Sequence, residues 1–168
     1  MGSADGKRST SSAGKSTRLR ISTPFGRDLL ILSNGSAIAG SDFVAKRRVR
    51  QSKPSDALLS EAAQQVQAYF ERRLARFTLP LVLDGSQFCI AVWQAVAALA
   101  FGQFVSYSDV ARAVGRPLAH RGVARAMALT PLALFVPAHR VVGSDGRLRG
   151  AAPRSMRRRL VMFERGYS

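Results

Sequence analysis

The chain is poor in four things, and each shortage closes off a class of function. It has one cysteine, Cys89, so an internal disulfide is excluded and a reducing, cytoplasmic setting is expected. Its two histidines, His120 and His139, with widely spaced acids, do not supply the ligand set of a protein-only zinc site, so neither metal nor cofactor is expected. Long apolar runs are missing. Nothing approaches the roughly 18 residues of a membrane span, and no basic head with an apolar stretch and cleavage site marks a leader, so no membrane partner is expected. Acids are scarce as well: 10 Asp and Glu face 26 Lys and Arg, a net charge of +16 on 168 residues.

What is present is the composition of a globular protein, 46% apolar, with length for one full domain or two small ones. The charge imbalance points to a polyanionic partner, with nucleic acid the first candidate, ahead of an anionic membrane surface. Residues 1–16, "MGSADGKRSTSSAGKS", are small, polar and basic, and read as a disordered tail. The "GKST" where it ends, residues 14–17, lacks the earlier glycine and the preceding strand of a phosphate-binding loop.

Residues 17–51 read as strands. "RLRIST" and "RDLLILS" flank "PFG", and Asn34-Gly35 suits a tight turn into "SAIAGSDF", giving a small antiparallel sheet. Residues 55–77 read as a helix capped by Ser55, with Leu58, Ala62, Val66, Tyr69 or Phe70, and Leu74 on one apolar stripe. "FTLPLVLDG" reads as an extended connector. Residues 17–85 thus make an αβ scaffold domain with no chemistry of its own.

The second half, 86–168, has a different character. Ser86 caps a helix carrying Phe88, Val92, Trp93 and Val96 and ending near Phe101-Gly102. Ser106 and Asp109 have capping-box spacing. The helix they open, 107–114, stops at Gly115. After "GRP", the segment "LAHRGVARAMAL" reads as a second helix burying Leu118, Val123, Ala126 and Met127. Two short helices about a Gly-Pro turn suggest helix-turn-helix. Arg121 and Arg125 lie one turn apart on the second helix, and residues 105–168 hold twelve Arg against three acids. "SMRRRLVMFERG" reads as a final helix, in which Arg157 to Arg159 are either a solvated face or phosphate contacts.

Between these helices lies "LFVPAHRVVGSDG", a histidine and an arginine inside an apolar run. Together with "FVSYSDVARAVG", "RGVARAMALTP", "GRLRG" and "FERG", it resembles the O6-alkylguanine-DNA alkyltransferases, also called methylated-DNA–protein cysteine methyltransferases. The likeness covers about residues 17–166. It centres on Pro137, His139, Arg140 and Val141, which fit the family's Pro-Cys-His-Arg-Val signature. The resemblance implies an α+β protein with an N-terminal ribonuclease-H-like domain bearing an antiparallel sheet. A mainly helical, winged-helix-like DNA-binding domain follows, acting as a monomer on double-stranded DNA. It implies base flipping: the damaged guanine leaves the stack, Arg121 fills the gap, and Tyr107 helps rotate the nucleotide. Arg125 and Arg140 join the DNA contacts, and Pro137, Val141 and Ala151 border the lesion pocket. In the family's chemistry a cysteine thiolate takes the alkyl group. A histidine, through water, accepts the thiol proton, and a glutamate orients the histidine.

His139 and Glu164 match the last two roles. The cysteine position is Ala138, whose methyl group has no lone pair to attack with. The chain departs elsewhere too, with Thr130-Pro131 for the family's usual Asn-Pro and a shortened "GAAPRS" beside the pocket. Three readings follow. The first is an alkyltransferase-like DNA-repair protein that recognises O6-alkylguanine without transferring the alkyl group, with excision-repair proteins as implied partners. The second is an active transferase using another acceptor, and the third a generic basic DNA-binding module with a vestigial pocket.

Overall fold

The computed structural model describes residues 16–47, 53–152 and 154–166; apart from Ser16, the tail expected to be disordered lies outside them. Strands β1 (Thr17–Ser22), β2 (Arg27–Ser33) and β3 (Ile38–Ala45) form an antiparallel sheet in that order. Alternation sets its faces: Leu19, Leu29 and Ile31 are buried because a strand turns successive side chains to opposite sides. The β2–β3 link is longer than a tight two-residue turn. Asn34 accepts from the amides of Ser36 and Ala37 through its side-chain oxygen, and a register shift follows at Leu32/Ser33.

Helix α1 (Ala57–Phe70) buries Leu59, Ala62, Val66 and Tyr69. Its cap is Asp56, not Ser55: the Asp56 carboxylate accepts from the Leu59 amide at 2.8 Å. The helix stops at Phe70, and Arg72 takes a positive φ of 59°, so Leu74 lies beyond it. The connector runs beside β3, with the Ile38 amide donating to Pro80 and the Val82 amide to Ile38.

Helix α2 (Gln87–Ala97) is capped by Ser86 and ends before Phe101. Then come β4 (Val105–Ser106) and α3 (Tyr107–Ala113), where the full capping box of Ser106 and Asp109 is present. Gly115, at φ +71°, closes α3 in a conformation that a Cβ disfavours. Helix α4 (His120–Leu129) buries Val123, Ala126 and Met127. Leu118 is 91% exposed, against the expectation that it is buried. The reason is that α4 begins two residues later, leaving Leu118 in the turn. The Trp93 indole donates to the Ala126 carbonyl at 2.9 Å, pinning α4 to α2. A Cβ at Gly122 would stand 3.1 Å from the Phe88 ring, so glycine permits this close packing.

A 3-10 turn (Ala138–Arg140) leads into β5 (Val141–Val142), which pairs in parallel with β4, and α5 (Met156–Glu164) closes the fold. The two halves are stitched at Ser41. Its amide donates to Pro131, its hydroxyl to Ala133, and it accepts from the Ala133 amide. No helix among the described residues is long and apolar enough to cross a membrane.

Candidate nucleic-acid interface

The signature stretch enters the core through Leu134, Phe135 and Val136, all buried, with Leu134 at φ +73°. A non-glycine residue there is strained by about 1–2 kcal/mol, and the packing around it holds the kink. The 3-10 turn that follows buries both His139 and Arg140 at 2% exposure.

Burial of two basic groups demands a counter-charge, and Glu164 of α5 provides it. Its carboxylate meets His139 Nε2 at 2.7 Å and accepts from Arg140 Nε at 3.1 and 3.0 Å and from Nη2 at 2.9 Å. It also accepts from the Tyr69 hydroxyl at 2.7 Å and the Gly102 amide at 2.9 Å. Arg140 Nη1 caps the Leu99 carbonyl at 2.6 Å.

Burial disfavours a charged carboxyl, but the hydrogen bonds from His139 and Arg140 and the Arg140 charge prevail and hold Glu164 down to about 2. Burial also holds His139 below its ordinary 6.5 against the opposing pull of the Glu164 carboxylate, and the charges of Arg140 and Arg157 push the same way as burial. Burial, then the Glu164 charge, raises the Tyr69 phenol. The cluster is therefore one carboxylate facing one guanidinium, with a neutral imidazole and a neutral phenol as donors. A neutral imidazole that gives its Nε2 proton to Glu164 carries its lone pair on Nδ1.

Next to this cluster lies a cavity of about 420 Å³, lined by Tyr107, His120, Arg121, Ala124, Ala128, Arg149, Gly150 and Arg157. It sits between the outer side of α4, the start of α3 and the loop before α5. The β4–β5 pairing of Ser106 with Val142 sets Tyr107 beside the end of the signature. Arg157 joins cavity and signature. Its Nη2 donates to the Ala138 carbonyl at 3.0 Å, the Val141 carbonyl at 3.1 Å and the Tyr107 hydroxyl at 3.1 Å.

The structure thus brings Tyr107 and Arg121 to one cavity, and His139 and Glu164 to one buried cluster behind it. Arg125 is exposed on α4 outside the cavity lining. Arg140 as a DNA contact is overturned: its guanidinium is buried and spent on Glu164 and Leu99. Pro137 and Val141 are buried and Ala151 half-buried, and none of the three lines the cavity. Cys89, on the first turn of α2, belongs to neither group; its amide donates to its own helix cap, Ser86.

Sequence reasoning missed Tyr69 and left Arg157 undecided. A tyrosine within an apolar stripe signals a hydroxyl that needs a partner, but nothing local says the partner is Glu164. Arg157 is one of three consecutive arginines, and only the phase of α5 separates it from its neighbours.

A basic two-helix face with a cavity and a buried base-and-acid cluster behind it is the arrangement of a nucleic-acid-binding protein. The family model for the 6-O-methylguanine DNA methyltransferase DNA-binding domain matches residues 87–165, and that for the ribonuclease-like domain matches 20–83. The methylated-DNA–protein-cysteine methyltransferase of Methanosarcina barkeri is 36% identical over 79% of this chain and 85% of its own. The Mycobacterium tuberculosis O6-methylguanine methyltransferase superposes with a TM-score of 0.76 at 29% identity, covering 91% of this chain and 94% of its own. The M. tuberculosis OGT solved in complex with DNA has a TM-score of 0.74 at 31% identity, over 88% and 91%. The chain belongs to the O6-methylguanine-DNA methyltransferase family.

Proposed function

We propose that this protein binds duplex DNA through α3 and α4, draws O6-alkylguanine into the cavity lined by Tyr107, Arg121 and Arg157, and does not accept the alkyl group. The observation that carries the reading is alanine at position 138 inside an otherwise furnished site. The cavity, the Tyr107–Arg157 contact and the oriented His139–Glu164 pair are all in place. The acceptor role needs a group that can form a bond to carbon, and a methyl side chain has none.

The binding half follows from the same residues. An alkylated guanine oxygen is out of reach within the stack, so the base has to rotate out, which costs a few kcal/mol of unstacking. Arg121 is exposed at the cavity mouth. Its planar guanidinium suits the vacated gap and offsets nearby phosphate charge. Tyr107 stands at the first residue of α3, where Arg157 fixes its hydroxyl and stiffens the wall that the base slides against. His139, buried and neutral, then serves as a structural donor to Glu164. The fold's basic balance supplies the salt-sensitive part of the affinity.

The test is an equilibrium titration of two labelled duplexes that differ only in O6-methylguanine against guanine. Tighter binding of the lesion duplex is expected, with the advantage shrinking in Arg121→Ala. Equal affinity for the two would leave a generic DNA-binding module in its place.

A further inference from the structure

Among the described residues four large apolar side chains are exposed: Leu32, Leu118, Leu129 and Met162. Two of them bracket one helix. Leu118, at 91%, precedes α4, and Leu129, at 57%, ends it. Arg121, Arg125 and Leu129 recur every four residues along one ridge of α4, and Leu118 stands in the turn just before it, three residues from Arg121. The ridge lies opposite the buried face of Val123, Ala126 and Met127. From Arg121 to Leu129 it spans roughly 12 Å, at about 1.5 Å per residue.

Leu118 has no structural task in the free protein. Its turn is closed without it by the Ala119 amide donating to Arg116 at 2.8 Å, and the inner side of α4 is filled by Trp93 and Phe88. Single exposed leucines are ordinary on a surface, but this one is nearly bare and stands in the turn that leads into α4, three residues before Arg121. A leucine cannot hydrogen-bond phosphate, so it does not read the DNA backbone. What it can meet on a duplex is the apolar part, sugar C–H edges and base faces, as wedge side chains do when they part a base step.

We infer that Leu118 is an apolar wedge for duplex DNA, packing against sugar and base edges at the step next to the one Arg121 enters. This rests on the duplex-binding reading above. Leu118 adds a salt-insensitive contact to a ridge whose arginines give salt-sensitive ones, and it holds the neighbouring step open while the base is out.

The test uses the full chain and its Leu118→Asn variant on an O6-methylguanine duplex and on its undamaged counterpart, each carrying 2-aminopurine beside the target guanine. Leu118→Asn is expected to lower affinity about tenfold at every salt concentration, the effect of exposing about half a leucine side chain. The slope of log K against log salt should stay unchanged, and the 2-aminopurine emission rise at saturation should be lost. An unchanged melting temperature shows that the variant is folded. Parental affinity and parental emission in the variant would overturn the wedge alone. Concentration-dependent self-association that Leu118→Asn abolishes, with DNA binding intact, would overturn it in favour of a contact between copies. A parent protein that binds neither duplex would overturn the DNA-binding reading and the wedge with it.

Discussion

The Tyr69 hydroxyl donates to Glu164 at 2.7 Å across 95 residues of sequence, tying the N-terminal helix α1 to the last turn of α5. Neither partner is exposed, so the bond has no water to replace it. Tyr69→Phe should leave one lone pair of a buried carboxylate unmet and destabilise the fold by about 1–3 kcal/mol. Urea unfolding checks this: the midpoint should fall with the m-value unchanged.

The same carboxylate sets the response to acid. Glu164 is held down to about 2 in the folded protein against an ordinary 4.5. Its contribution is therefore full above about pH 4.5 and is lost as pH falls toward 2. His139, held below 6.5 by burial, acts in the same direction, because the unfolded chain gains its proton first. Stability should thus decline from about pH 6.5 downward and more steeply below 4.5. Glu164→Gln should be less stable at pH 7 and should flatten the lower part of the profile, measured as melting temperature against pH.

Arg140 and Arg125 should separate cleanly. Arg140 is half of a buried ion pair, and truncating one partner of such a pair costs about 3–5 kcal/mol. Arg140→Gln should therefore lose stability, while its folded fraction keeps the parental dependence of DNA affinity on salt. Arg125→Gln should keep its stability and reduce the slope of log K against log salt by about 0.9 for each phosphate that Arg125 neutralises.

Supplying a thiol at position 138 is a direct probe of what the site can do. Ala138→Cys places a thiol on the residue preceding His139, whose orientation by Glu164 is already built. This variant should gain one methylene in mass after incubation with O6-methylguanine DNA, and Ala138→Cys combined with His139→Phe should gain it much more slowly.

Local signals in the sequence were readable where the chemistry is local. The Ser106–Asp109 capping box, the Ser86 cap and the Gly115 stop each depend on neighbours within a few residues, and each is found. Ser55 lost to Asp56 because both are good caps one residue apart, and the phase of α1 decides between them. Leu118 misled because the helix begins at His120, beyond the turn that holds the leucine. Arg140 misled more deeply. A basic residue in a DNA-binding chain suggests phosphate, but its guanidinium answers Glu164, and no periodicity reports a pairing between a turn and a distant helix. The pairing of Tyr107 with Arg157 was hidden in the same way.

The central claim is that the site holds an alkylated base and takes nothing from it. Intact mass of the parent protein after incubation with O6-methylguanine duplex tests it most directly. An unchanged mass at full lesion binding is predicted. A stable gain of one methylene per chain would contradict the account and return the protein to the active transferases.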